Sequence, residues 1–186
     1  MHIDARFNLV IPVGALNIYH TPISREVFEA NYLLLAATKS SIASKGIHYA
    51  MDSGPRIASL LLRDEARKEA QDDKGQSFFL ELARLSIVLV PTENGWEKLP
   101  VELAINSGKL DLTDWKEVES SIVFFTCYFS MARKAEREGL VRAIASLLGW
   151  STTSLNLSEW SASLPSLIQT QSTQPTLSET SSTIAI

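Results

Sequence analysis

The chain has one cysteine, Cys127, and only three histidines, His2, His20 and His48, in 186 residues. A single cysteine cannot close an internal disulfide or build a cysteine-rich metal site. No two histidines fall at the short spacings that place two imidazoles on one metal. His2 and His20 can meet across an N-terminal hairpin, but such a pair reads better as solvated than as a ligand set. Cys127 sits in an apolar run and reads as a buried thiol. The glycine-rich loops that cradle phosphates and the strand–serine–helix elbow of hydrolases are also missing. We therefore expect no metal, no cofactor and no enzymatic activity.

Long apolar runs are missing too. The longest, residues 121–132, falls short of the roughly 20 residues that span a bilayer, and charged segments flank it. The start has no basic-then-apolar pattern of a signal peptide, so the expectation is a soluble, cytoplasmic protein without a membrane partner. Positive charge is in short supply: net charge is −4, which does not draw phosphate backbones from a distance and argues against nucleic acid. Asp64 and Glu65 lie beside Arg63, Arg67 and Lys68 at spacings that suit pairing on a solvated helix face, with a catalytic carboxylate pair as the lesser alternative. The basic side formed by Arg133, Lys134, Arg137 and Arg142 is interrupted by Glu136 and Glu138 and reads first as another solvated face, with an acidic or nucleic-acid partner as the alternative.

Apolar residues make up 45% of the chain, enough for one ordinary core. Residues 3–13 and 18–21 are rich in β-branched and aromatic side chains, with Gly14 offering a turn, and predict a hairpin over 1–23. Helical periodicity follows. Ser24 caps a helix expected over 25–44 and ended by Gly46. Residues 47–52 are an ambiguous connection. A second helix starts at Ser53-Gly54-Pro55 with Ile57, Leu60, Leu61 and Asp64 on its inward side, and 63–73 frays into a loop. A third runs over 77–88 on Phe78, Leu82, Leu85 and Leu89, although Ile87-Val88-Leu89-Val90 suits a short strand equally well. A short helix covers 99–105. Thr113 caps a long one with Val118, Ile122, Phe125 and Phe129 in a stripe, and apolar residues on its other side make it the central helix. Gly139 separates it from a last helix over 140–148, closed by Gly149. The fold class expected is mainly α: a helical domain over 1–150 with an N-terminal β-hairpin.

Composition changes after Trp150. Of the 36 residues from Ser151 onward, 17 are Ser or Thr and none is Lys or Arg, so 151–186 is expected to be a disordered Ser/Thr-rich tail. One segment departs from this. Asn156-Leu157-Ser158-Glu159 has capping-box spacing, and 157–164 predicts a short amphipathic anchor for the protein's own core or for a partner. Leu157, Trp160 and Leu164, with Trp150 beside them, are the candidate partner-binding residues. Trp115 reads as core rim and Trp96 as exposed.

Several segments carry a resemblance beyond composition: Met1-His2-Ile3-Asp4-Ala5-Arg6-Phe7-Asn8-Leu9-Val10, Thr21-Pro22-Ile23-Ser24-Arg25-Glu26-Val27-Phe28, Ser53-Gly54-Pro55-Arg56-Ile57-Ala58, Val123-Phe124-Phe125-Thr126, and Leu157-Ser158-Glu159-Trp160-Ser161-Ala162-Ser163-Leu164-Pro165 before a low-complexity end. The chain resembles the tail assembly chaperones of long-tailed (siphovirus-type) bacteriophages. The resemblance implies binding and solubilising of the tape measure protein and recruitment of tail tube protein. It also implies action in the cytoplasm of the infected host and absence from the mature virion. The helical core is expected to form a homo-oligomer or to contact the tape measure. The alternative is a structural virion protein, such as a minor tail, tail-completion or adaptor subunit.

Overall fold

Period-two alternation sorts the strand residues onto two faces. In the computed structural model, which describes residues 1–68, 72–93, 95–155 and 157–164, Ile3, Leu9, Ile11, Ile18, Val88 and Leu99 enter one core. Val10, Tyr19 and Leu89, each one residue out of phase, enter another. These residues lie on β1 (His2–Asp4), β2 (Leu9–Val13), β3 (Leu16–His20), β4 (Ser86–Thr92) and β5 (Gly95–Pro100). Each pairs antiparallel with the next, for example Leu9↔His20, Tyr19↔Ile87 and Pro91↔Trp96. A short β6 (Ser151–Thr153) adds to β1 in parallel, giving one sheet in the order β5-β4-β3-β2-β1-β6. Gly14, with φ 56°, occupies the first position of the two-residue link from β2 to β3, where a tight hairpin favours positive φ.

The fold is therefore mixed α/β with a six-stranded mixed sheet, and the expectation of a mainly α domain bearing only a hairpin is overturned. Strand pairing between distant segments settled what the local pattern left open. The 87–90 run becomes β4 because β3 and β5 flank it. Residues 99 and 100, expected to start a helix, end β5 instead.

The helices cover one face of the sheet. α1 (Arg25–Ala30) is capped by Ser24, whose hydroxyl accepts from Val27 N–H. It is divided from α2 (Tyr32–Ala43) at Asn31, which leaves helical geometry at φ −115°, ψ 11°, so the single helix expected over 25–44 is two. The ambiguous connection is α3 (Ile47–Asp52). α4 (Gly54–Lys68) stays helical over the first part of the 63–73 stretch expected to fray, where Lys68 pairs with Asp64 at 2.8 Å and Glu65 at 3.0 Å, while residues 69–71 lie outside the described residues. Its buried side is Ala58, Ser59, Leu62 and Ala66, while Leu60 is 63% exposed. The inward stripe is therefore rotated from the expected one. α5 (Asp72–Arg84) starts earlier and ends sooner than expected, and α6 (Val101–Asn106) follows β5.

At the centre is α7 (Leu112–Phe129), capped by Asp111 and not by Thr113. The Asp111 carboxylate accepts from Thr113 N–H at 2.6 Å. This bond holds its pKa below the usual aspartate range. Trp115, Val118, Ile122, Val123, Phe124, Phe125, Cys127 and Phe129 are all buried, each apolar chain stabilising the fold by about 1.5–3 kcal/mol. α7 packs against α4 above all, and against α2, α5, α8 (Arg137–Leu148) and β2. The α4–α7 approach is close: a Cβ on Gly54 would stand 2.7 Å from the Phe124 ring. Gly139 lies inside α8, so the break after α7 falls at 130–136 instead. The folded unit also continues past residue 150. β6 joins the sheet, and α9 (Leu157–Ser163) lies against its second face. Residues 165–186, the greater part of the expected disordered tail, lie outside the described residues.

Candidate partner-binding site

The four candidate residues divide between two places. α8 ends at Gly149, whose φ of 65° is the left-handed cap that glycine adopts without strain. Trp150 N–H turns back to Ala145 carbonyl at 2.8 Å, and Ser151 N–H reaches Met1 carbonyl at 3.1 Å. This turn swings the chain into β6 and leaves the half-buried Trp150 on the wall of an open groove of about 590 Å³. Ile47, Met51, Pro55, Leu147 and Leu148 complete its apolar lining, with His48, Asp52 and Arg56 at its polar positions. Ile47 and Leu147 are 63% and 62% exposed. Large apolar side chains held this far into water on two neighbouring helices are a recognised mark of an interaction surface.

Leu157, Trp160 and Leu164 come together elsewhere. Trp160 is buried against Val10, Tyr19 and Leu89, with Leu155, Leu157, Leu164, Ile87 and Trp96 packed around them. Its ring lies 6.3 Å from that of His2. The anchor expected at 157–164 thus seats on the protein's own sheet, and Trp160 is spent on that contact.

Beside this seat is a polar network that sequence reasoning missed. Asp4 is buried and accepts from four donors: Arg6 N–H at 2.8 Å, Asn8 N–H at 2.9 Å, Asn8 Nδ2 at 2.7 Å and the Tyr19 hydroxyl at 2.8 Å. Burial, and then the bond to Asp4, push the Tyr19 phenol above its ordinary range. The network clamps the β1–β2 turn, in which Phe7 holds φ 68°. An aromatic residue reaches that region only when its surroundings enforce it, at a cost of about 1–3 kcal/mol.

His2 and His20, which the hairpin could have brought together, do not meet. His20 faces the helical side, its Nδ1 2.9 Å from Ser86 Oγ, while Ser86 donates to Leu82 carbonyl at 2.8 Å. Because the Ser86 proton is committed, His20 carries its own proton on Nδ1, leaving Nε2 buried without a partner. Burial drives its pKa down to about 3. His2 instead hydrogen-bonds through Nδ1 with the Ser151 hydroxyl, fastening β6. Cys127 is fully buried, and burial pushes its thiol up to about 12, so it carries no thiolate at neutral pH. Trp115 is buried. Trp96, expected to be exposed, is half-buried with Nε1 enclosed and unpartnered. Among the described residues, no three His, Cys, Asp or Glu converge on a point where a metal would sit, and no helix is long and apolar enough to cross a membrane.

Comparison of the chain with protein-family models, curated proteins and solved structures finds no match. The site is therefore read from its own chemistry.

Of the groove, only Trp150 was picked out from sequence. Ile47 and Leu147 have no signal of their own, since an exposed leucine and a core leucine look alike until the helices around them are placed.

Proposed function

We propose that the protein is an assembly chaperone of a long-tailed bacteriophage, one that keeps the tape measure protein soluble and brings tail tube subunits to it. The observation that carries this reading is the apolar groove between α3 and α8, with Trp150 on its wall and Ile47 and Leu147 standing into solvent. A tape measure is a long helical chain with apolar stripes. Such a helix lays residues at i, i+3 or i+4, and i+7 into a groove of this kind, and each large side chain removed from water contributes about 1.5–3 kcal/mol. The work is binding throughout and calls for no cofactor. It takes place in the cytoplasm of the infected host, and the protein leaves before the virion is complete.

Co-expression with the neighbouring long helical tail protein tests the proposal. The expected result is a soluble partner that co-purifies, and loss of that capture in the double variant Ile47→Asp, Leu147→Asp. Both side chains are largely exposed, so the variant keeps its fold, as circular dichroism would confirm. A partner that stays insoluble and does not co-purify overturns the reading. So does stoichiometric recovery of the protein from purified virions, which identifies a structural subunit instead.

A further inference from the structure

A second depression, of about 630 Å³, opens between the β1–β2 turn and the start of α8. Arg6 and Arg137 stand on its rim, Phe7 and Phe129 on its wall, and Leu157 of the C-terminal arm closes one side. The lining is mixed, with Thr21 adding a hydroxyl and Pro22 and Ile23 adding apolar surface. The arginines are held differently. The Arg137 guanidinium lies 4.8 Å from the Phe129 ring centroid, and its Nε donates to Ala132 carbonyl at 3.3 Å. The Phe129 ring in turn sits 5.0 Å from Phe7. Arg6 is anchored only by its backbone N–H, and its side chain is exposed. Neither guanidinium has an ion pair with a carboxylate among the described residues. Asp4, the acid closest in sequence to Arg6, is already taken up by its four donors. Arg25, Arg63, Arg84 and Arg142 are each paired with a glutamate, while Arg56, Arg67 and Arg133 also lack an ion pair among the described residues; what sets Arg6 and Arg137 apart is that both line one cleft beside Phe7 and Phe129.

We propose that this cleft is a binding site for an acidic, otherwise apolar peptide segment, its carboxylate held by Arg6 and Arg137 and its apolar neighbours laid against Phe7, Phe129 and Leu157. A guanidinium presents paired donors that match the two oxygens of a carboxylate, and planar stacking of the kind seen on Phe129 fixes the fork in advance. The strained Phe7 turn, clamped by Asp4, sets its ring before any ligand arrives, so little ordering is left to do on binding. A small inorganic anion would use the arginines and leave the apolar part of the wall idle. The protein's net charge of −4 works against acidic ligands at a distance, so capture of one must be local to this cleft. The proposal does not depend on the tail assembly reading, because the groove at Trp150 and this cleft share no residue.

The test uses the full chain and a fluorescein-labelled amphipathic peptide of glutamate and leucine, followed by anisotropy, with its glutamine-for-glutamate counterpart and inorganic phosphate as controls. The acidic peptide should bind, and the glutamine peptide should bind about tenfold or more weakly. The double variant Arg6→Gln, Arg137→Gln should lose binding to a similar degree. Arg6→Gln alone, at an exposed side chain, should weaken it measurably and decides the matter if loss of the Arg137 packing disturbs the fold. Lys98→Gln, on the far side of the sheet order, should leave it unchanged. Equal affinity for the two peptides, or undiminished binding by Arg6→Gln, overturns the proposal. Displacement of the peptide by phosphate at equal concentration also overturns it, since the cleft would then be a simple anion site.

Discussion

The two faces of the sheet are covered in different ways. The inner face is roofed by several helices, with α7 buried on nearly every side and large side chains such as Phe78, Leu62, Phe124 and Phe125 at or near zero exposure. Among the described residues, the outer face is covered by one short segment, the arm that follows β6 and ends in α9, with Trp160 as its large anchor. Loss of one residue from the roof is felt by neighbours that cannot all relax, because interiors are close-packed. Loss of the anchor from the cover releases a segment that the rest of the fold does not need. The contrast teaches that the same sheet supports one cooperative core and one separable contact.

The largest way to test the contrast is Phe124→Ala. Truncating a fully buried phenylalanine in α7 should cost about 3–5 kcal/mol and lower the midpoint of thermal unfolding for the whole protein. Trp160→Ala removes a comparable side chain on the other face, yet the global cost should be only about 1–2 kcal/mol, below the usual range for buried aromatics, because the arm opens by itself. Denaturant titration followed by circular dichroism compares the two. Equal losses would erase the distinction between roof and cover.

Next comes acid. His20 is neutral and buried under the roof with a folded pKa of about 3, set by burial, against an ordinary value of 6.5. Since the unfolded chain binds the proton more readily, the contribution is complete above pH 6.5 and is lost as pH falls toward 3. In that window stability falls with falling pH by up to one proton's worth, on the order of 1 kcal/mol per pH unit. His20→Phe should flatten the slope between pH 6 and pH 4 in urea titrations, and an unchanged slope would remove His20 from the account. Gly54→Ala should cost about 1–3 kcal/mol by overpacking, since its new methyl would meet Phe124 at 2.7 Å. Smallest of all, Leu60→Ala, at a leucine 63% exposed, should change stability by less than about 0.5 kcal/mol. A larger loss would show that the outward side of α4 is covered in solution.

Much of the helical layer was legible in the sequence, because periodicity and caps are local signals. Ser24, the all-round apolar α7, the Gly149 stop and the short helix of the arm all appear where the pattern puts them. Of the sheet, only the β2–β3 hairpin around Gly14 was legible; the single strand expected over 3–13 is two, β1 and β2, separated by a turn at 5–8 and paired with each other. Ile87 to Val90 had the composition of a strand but the length of an ambiguous run, and β5, with Trp96, Glu97 and Lys98, had no apolar stripe at all. Both became strands because of partners brought from far along the chain, which no local window contains. The Leu60 error had the same origin: the inward side of α4 is lined with small residues, Ala58, Ser59 and Ala66, so that it can approach α7 closely. A search for large apolar side chains points the wrong way at such a contact. Of the candidate site, the arm anchor was visible from Leu157, Trp160 and Leu164. Its seat, the Asp4 network and the Trp150 groove required the fold.

Hydrogen exchange on the full chain, wild type against Trp160→Ala, tests the separation of roof and cover most directly. The account predicts that amide protection falls in residues 151–164 and along the β1 edge they cover, while β2 to β4 and α7 exchange as before. Accelerated exchange spreading through α7 and the inner strands would contradict it, and would make the C-terminal segment part of the same cooperative core.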